Sequence, residues 1–250
     1  MTKLASWVIP TYRRLATLPL ALDSILRSHD VEGWEFEVVF SIPKNDPSLP
    51  YLQKAAKKDS RIRYVHSDDT TVGGQRIKAF SAIKGELVML TDDDVFQSPE
   101  RFRAATEAYD AGHNMSGCDV FYMYNRMTDV IVRWEGPNFR AGPMRNFAAQ
   151  VIRDAGGWDP VPKNCDWSLT QKFKKAGIKE DSIALPRQVG LGTVTTHNER
   201  NISSIRAWPQ GATPPAKCGL FLVHPVQHHE RLGLPMWTQT ALEKCYIDAA

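Results

Sequence analysis

The strongest constraint on the fold is the run Glu86-Leu87-Val88-Met89-Leu90-Thr91, which stops abruptly at three consecutive carboxylates, Asp92-Asp93-Asp94. An apolar stretch without polar alternation reads as a strand buried on both faces, the habit of a parallel sheet covered by helices. The carboxylates then stand at the strand's C-terminal end, where open α/β sheets take their ligands. Their mutual repulsion calls for a compensating cation.

The residues around this run alternate strand and helix, which favours right-handed crossovers and a largely parallel sheet. Trp7-Val8-Ile9 is a compact apolar run ended by Pro10. Leu18, Leu22, Ile25 and Leu26 have the spacing of a buried helical face, with Thr17 as a cap and Pro19 in the first turn. Phe36 to Ile42 reads as the next strand, stopped by Pro43 and a polar turn through Asn45, Asp46 and Pro47. Arg61 to His66 is a short strand, followed by an Asp68-Asp69 and Gly73-Gly74 loop and a helix over Gln75 to Lys84 that Gly85 terminates.

Past the carboxylates, Ser98-Pro99-Glu100 signals a helix running to about Ala111. Val120 to Tyr124 and Val130 to Trp134 look like antiparallel strands joined by a turn, which breaks the alternation and predicts a mixed sheet. A Gly/Pro loop over Gly136 to Pro143 precedes a helix expected from Met144 or Arg145 to Ala155, and a further helix is expected from Cys165 to Ala176, stopped by Gly177. In the tail, Pro209, Pro214 and Pro215 delimit a loop, and only the segment from Thr238 onward is patterned as a helix.

Composition narrows the function classes. A chain of 250 residues with 42% apolar and 24% charged residues can bury a core of its own. The start, MTKLASWVIPTYRR, holds too short an apolar run for a signal peptide or a membrane span, and no later stretch approaches about 18 uninterrupted apolar residues. A cytoplasmic protein is expected, with peripheral membrane contact left open. Cys118, Cys165, Cys218 and Cys245 are widely spaced and imply neither a disulfide framework nor a zinc ribbon. A net charge of +3 suits an anionic small-molecule ligand without implying nucleic acid. Pairs such as Lys57-Lys58 and Lys174-Lys175 read as solvated helix faces. No glycine-rich turn follows Val8-Ile9, so a Rossmann dinucleotide site is excluded, and no Walker-type phosphate loop is present.

Four segments in order, Trp7-Val8-Ile9-Pro10-Thr11-Tyr12-Arg13-Arg14, Gly85 to Asp94, Gly156-Gly157-Trp158-Asp159 and Cys165-Asp166-Trp167-Ser168-Leu169, resemble the GT-A superfamily, particularly family 2-like glycosyltransferases, across roughly the first 200 residues. The resemblance implies an α/β GT-A nucleotide-diphospho-sugar transferase fold with a mixed, mainly parallel central sheet. It implies a catalytic domain over residues 1–200, with residues 201–250 a C-terminal extension packed on it. The implied reaction is metal-dependent transfer of a sugar from a nucleotide-sugar donor to an acceptor hydroxyl, with inversion.

By that resemblance Asp92 and Asp94 are the outer members of a DxD motif that holds Mn²⁺ or Mg²⁺, hard ions suited to carboxylate oxygens. His197, in Thr195-Thr196-His197-Asn198, resembles a late histidine that completes the cation site. Pro10, Thr11 and Arg13 are expected at the nucleotide, with Asn45 or Asp46 replacing the family's acidic base-and-ribose reader, and Asp93 on the donor side. Arg76 corresponds to the Arg of the donor-side helix, contacting phosphate or steadying the acidic loop, and Lys78 is a second candidate for phosphate, with a solvent-facing position the stronger alternative. Asp166 matches the second residue of the ED-type motif and is the expected general base, although Cys165 replaces the first acidic residue and Ser168 a later one.

Trp134, Glu135, Trp158 and Trp167 are expected on the acceptor side, where an indole offers an apolar face to a ring and a carboxylate binds hydroxyls. The acceptor stays open among glycan, lipid-linked sugar, protein, small molecule and modified DNA base. A polyanionic acceptor would be favoured by convergence of Arg140, Arg145 and Lys163. Two other functions stay open: a nucleotidyltransferase acting on a sugar phosphate, and a non-catalytic nucleotide-sugar or polyanion-binding protein. His224, His228, His229 and Glu230 form a second conceivable metal set, although Pro225 interrupts a regular helix there and a surface or interface role is expected.

Overall fold

A computed structural model describes residues 2–125, 130–135, 142–163, 165–178, 182–185, 194–197 and 220–223. Four strands, β1 (Lys3–Pro10), β2 (Trp34–Ile42), β3 (Ile62–His66) and β4 (Leu87–Leu90), pair in parallel in the order β3-β2-β1-β4. Helices α1 (Leu18–Leu26), α2 (Leu49–Lys58) and α3 (Val72–Phe80) make the crossovers between them. Alternate residues of the strands feed two apolar clusters. Trp7, Ile9, Val38, Phe40 and Met89 lie in one, and Val8, Val39, Val88 and Leu90 in the other. Burial on both faces is why Leu87–Leu90 reads as an unbroken apolar run.

Beyond β4 the chain changes habit. The two-residue β5 (Val95–Phe96) leads to α4 (Arg101–Asp110) and β6 (Met115–Gly117), and β7 (Val120–Asn125) pairs antiparallel with β8 (Val130–Glu135) as expected. A short 3₁₀ turn, Gly142–Met144, precedes β9 (Arg145–Ala148), α5 (Ala149–Asp154) and α6 (Cys165–Lys175). β9 lies antiparallel between β4 and β6, and β10 (Ser182–Ala184) extends the sheet beside β6 to give seven strands. A second sheet runs β12-β8-β7-β11-β5, with β11 spanning Val194–His197 and β12 spanning Leu220–Val223. Among the described residues no helix is long and apolar enough to cross a membrane.

Three expectations need correction. The segment from Met144 to Ala155 is not one helix: Arg145–Ala148 is strand β9, because its backbone closes the free edge of β4 and Ala149 N donates to Glu86 O at 2.7 Å. Helix α3 spans Val72–Phe80 rather than Gln75 to Lys84, since the Thr71 hydroxyl accepts from Gly74 N at 3.1 Å and starts it earlier. Gly85 does not terminate α3. A Cβ there would stand 2.6 Å from both Leu4 O and Ser6 Oγ, so glycine lets the chain enter β4 hard against β1.

The end of β4 is anchored by Arg101, which is fully buried in the first turn of α4. Its Nη2 donates to Leu90 O at 2.8 Å and Asn146 Oδ1 at 2.9 Å, and its Nη1 donates to Gln97 Oε1 at 2.6 Å and Pro143 O at 3.0 Å. Gln97 Nε2 in turn donates to Thr91 Oγ1 at 2.6 Å, so the residue before the acidic triplet is held on both sides. The guanidinium also lies over the Trp7 ring, 5.1 Å from its centroid. Burial pulls its pKa down to about 10, which still leaves it charged at neutral pH. Replacing it by an apolar residue strands several buried acceptors, each costing about 1–3 kcal/mol. Arg101→Met should therefore lose about 3 kcal/mol or more in urea unfolding. A loss under about 1 kcal/mol would contradict this anchoring.

Candidate active site

The ends of β1 and β2 form the first wall. Thr11 N donates to Ser41 O at 2.9 Å and to Gln75 Oε1 at 2.7 Å, tying β1 to its neighbour and to the first turn of α3. The chain then turns sharply through Arg13, whose φ of 55° is left-handed. The buried Asp46 makes that turn stable: its Oδ2 accepts from Arg13 N at 2.7 Å and its Oδ1 from Ser48 N at 2.8 Å. Asp46 is thus occupied as a brace for the loop, whereas Asn45 and the side chain of Arg13 are exposed.

The acidic triplet faces this turn. Asp92 is partly exposed, while Asp93 and Asp94 are buried. Tyr12 N donates to Asp93 Oδ2 at 3.3 Å, and the Arg14 guanidinium stands 3.6 Å from Asp93 and 3.5 Å from Asp94. Burial first, and then the charge of Asp94, push the Asp93 carboxyl well above the usual carboxylate range. A carboxyl forced toward its neutral form marks a pocket short of positive charge, and hard oxygen donors there fit Mg²⁺ or Mn²⁺. Among the described residues no three His, Cys, Asp or Glu side chains converge as a cage.

The second wall is the start of α6, joined to the first by Arg76. Gly73 makes the approach possible: its N donates to Val161 O at 3.1 Å, and a Cβ there would lie 2.0 Å from Asp159 O. One turn on, Arg76 is 1% exposed. Its Nη2 donates to Asp92 Oδ1 at 2.9 Å, and its Nη1 donates to Asp166 Oδ1 and lies 3.3 Å from Cys165 Sγ. Burial would lower the proton affinity of Arg76, yet Asp166 and Asp92 together hold it well above its ordinary value. Burial also raises the Cys165 thiol to about 11, so it is neutral at physiological pH.

A buried strand ending in acids is thus faced, across a buried guanidinium, by an acid at a helix start. The family model described as Glycosyl transferase family 2 matches residues 6–158, more than half of the chain. The chain belongs to glycosyl transferase family 2. Comparison with curated protein sequences gives no match. Among solved structures, it is similar to the mannosyltransferase PcManGT from Pyrobaculum calidifontis in complex with GDP-Man and Mn²⁺, at 14% identity and a TM-score of 0.56 over 80% of this chain. It is also similar to S. aureus TarS 1–349 in complex with UDP-GlcNAc, at 15% identity and a TM-score of 0.51 over 80% of this chain. The match spans 58% of the first of those chains and 57% of the second. At these identities the likeness bears on the fold, which is the GT-A fold.

Other expected site residues of this family 2 chain lie apart from the Arg76 centre or are placed by backbone alone. Pro10 is buried at the end of β1, and Lys78 is exposed on α3. Trp167, beside Asp166, is 64% exposed, whereas Trp158 is 3% exposed and packs edge-on against Phe80 in the core, with ring centroids 5.5 Å apart. Trp158 therefore does not form an open pocket wall, because α3 covers it. Asp159 is tied to Lys172 Nζ at 2.6 Å and to Ser168 Oγ, and these partners hold its carboxyl below the usual range.

His197 ends β11, which pairs antiparallel with β5 through Thr195↔Val95. Since Val95 directly follows Asp94, the backbone of His197 lies at the acidic end of this strand pair. Trp134 and Glu135 end β8 in register with Phe121 and Val120. Arg145 Nη1 donates to Thr170 Oγ1 at 2.9 Å, fastening β9 to α6, and Lys163 is exposed. Arg140 and the set His224, His228, His229 and Glu230 lie outside the described residues. Sequence reasoning did not single out Arg14 or Gln75. Arg14 had a signal in the motif segment after Thr11, whereas Gln75 had none.

Proposed function

We propose that this chain transfers a sugar from a nucleoside-diphosphate donor to an acceptor hydroxyl, with inversion, using a divalent cation at Asp92 and Asp94. The observation that supports this most is the meeting of Asp92 and Asp166, far apart in sequence, on the two Nη atoms of Arg76. A carboxylate at the end of β4 and another at the start of α6 supply a donor side and an acceptor side separated by little more than one guanidinium. In this reading Pro10, Thr11, Arg13 and Asn45 belong to the nucleotide side, and His197 would be a further ligand for the cation.

In the proposed reaction the acceptor oxygen attacks the anomeric carbon from the side opposite the nucleoside diphosphate. The bond between that carbon and the phosphate oxygen breaks with its electron pair leaving on the diphosphate. Asp166, whose side chain keeps 27% of its surface exposed, takes the proton released by the acceptor hydroxyl. Asp92 and Asp94 would hold Mn²⁺ or Mg²⁺, which would supply charge neutralisation at the leaving phosphates. Arg14 holds Asp93 and Asp94 near the diphosphate position, and the exposed indole of Trp167 offers the acceptor a ring face beside the base. The solved neighbours with GDP-Man and with UDP-GlcNAc support a nucleotide sugar as the donor class.

Calorimetry with GDP-mannose and UDP-GlcNAc checks the cation's role. Binding should weaken by roughly tenfold or more on addition of EDTA or in Asp92→Ala and Asp94→Ala, as expected for lost metal ligands. Equal affinity with and without divalent metal would count against the cation site.

Asp166→Asn checks the base. The folded variant should keep donor binding while turnover falls by roughly 10²-fold or more. The anomeric configuration of the product, read by nuclear magnetic resonance, should be inverted. Retained configuration would defeat single displacement, and near-normal turnover would remove Asp166 from the mechanism.

A further inference from the structure

Arg76 has no surface left for a ligand. It is 1% exposed, its Nη2 is engaged by Asp92, and its Nη1 by Asp166 and Cys165. We infer that Arg76 is a positioning residue that holds the carboxylate of Asp92 and that of Asp166 in one fixed relation, and that a neutral side chain at Cys165 is what lets a single guanidinium serve both. The inference rests on the reading of Asp166 as the base, and it removes Arg76 from the phosphate contacts expected of it.

The geometry favours a fork over a point charge. Asp92 and Asp166 are reached through different Nη atoms, and a planar guanidinium fixes the angle between those two directions. An ammonium would sit against one carboxylate or float between them. Helix α3 is itself docked at two points, by the Gln75 bond to Thr11 N at the end of β1 and by Gly73 against Asp159 and Val161, and its first turn is capped by Thr71. The stem of Arg76 therefore starts from a fixed point.

Charge explains Cys165. Arg76 already balances two carboxylates, and a third acid at position 165, within reach of the same Nη1, would compete with Asp166 for it. The buried thiol, neutral at physiological pH, fills the space without that competition. What reads in sequence as a missing acid is thus a condition for this arrangement.

The test uses the full chain and two readouts. In metal-free protein labelled with ¹⁵N at arginine, the Arg76 guanidinium protons, assigned by their loss in Arg76→Lys, should be held in slow exchange. Asp166→Asn should release the Nη1 pair, Asp92→Asn the Nη2 pair, and Cys165→Asp should shift the Nη1 pair. Arg76 resonances unchanged in all three variants would overturn the tie, whatever the turnover.

The second readout is release of nucleoside diphosphate from GDP-mannose or UDP-GlcNAc. Arg76→Lys should lower kcat by roughly 10- to 100-fold with donor affinity nearly kept, and most of that effect should vanish in an Asp166→Asn background. An equal effect of Arg76→Lys in both backgrounds would overturn the positioning role. Normal turnover by Asp166→Asn would instead overturn the base reading, and the positioning role with it.

Discussion

A guanidinium withdrawn from water must have its charge and its donors matched by buried partners, and around Arg76 the carboxylates of Asp92 and Asp166 do so. That pairing dictates much of the surrounding structure. Helix α3 must enter close to the loop before α6, which is why Gly73 stands where a Cβ would strike Asp159 O. The end of β4 must be held at a fixed height, and Arg101 does this from the opposite side by binding Leu90 O and, through Gln97, Thr91. Two buried arginines, one in a cage of neutral acceptors and one between acids, therefore define where the acidic triplet lies. Removing a single partner from such a centre leaves charge or dipoles uncompensated, so each is more sensitive than its hydrogen-bond count suggests.

The same charge logic separates the three neighbouring acids. Asp92 is partly exposed and shares its Oδ1 with Arg76, Asp94 faces Arg14, and Asp93 is pushed toward its neutral form by burial and by Asp94. Among the described residues, Arg14 and Arg76 make ion pairs with a site that carries Asp92, Asp93, Asp94 and Asp166. A divalent cation entering this centre would relieve the repulsion that raises Asp93. The GT-A fold puts the acidic triplet at the C-terminal end of a parallel strand, where open α/β sheets take their ligands.

The parts of the fold legible in the sequence were those whose signal is local. β4 showed itself because a strand covered on both faces is apolar throughout, and β7 with β8 because two β-rich runs flank a turn. β9 did not, since Arg145-Asn146-Phe147-Ala148 becomes a strand only by pairing with β4 and β6, whose edges are set elsewhere in the chain. In the site, the residue types of Asp92 and Asp166 announced themselves through the resemblance to family 2. The work of Asp46 was hidden because its partners are the backbone amides of Arg13 and Ser48. Trp158 and Trp167, each next to an aspartate, were indistinguishable in sequence; only the packing of α3 against one of them covers it and leaves the other open.

The bond that breaks in the donor distinguishes sugar transfer from the other chemistry that carboxylates and a divalent cation support on an α/β scaffold. Phosphorus nuclear magnetic resonance of GDP-mannose and UDP-GlcNAc incubated with the chain and Mn²⁺ reads that bond directly. Cleavage at the anomeric carbon releases GDP or UDP, and its appearance, suppressed in Asp166→Asn, is the expected result. Release of a nucleoside monophosphate with a sugar phosphate, or binding of both donors with no cleavage of either, would contradict sugar transfer at this site.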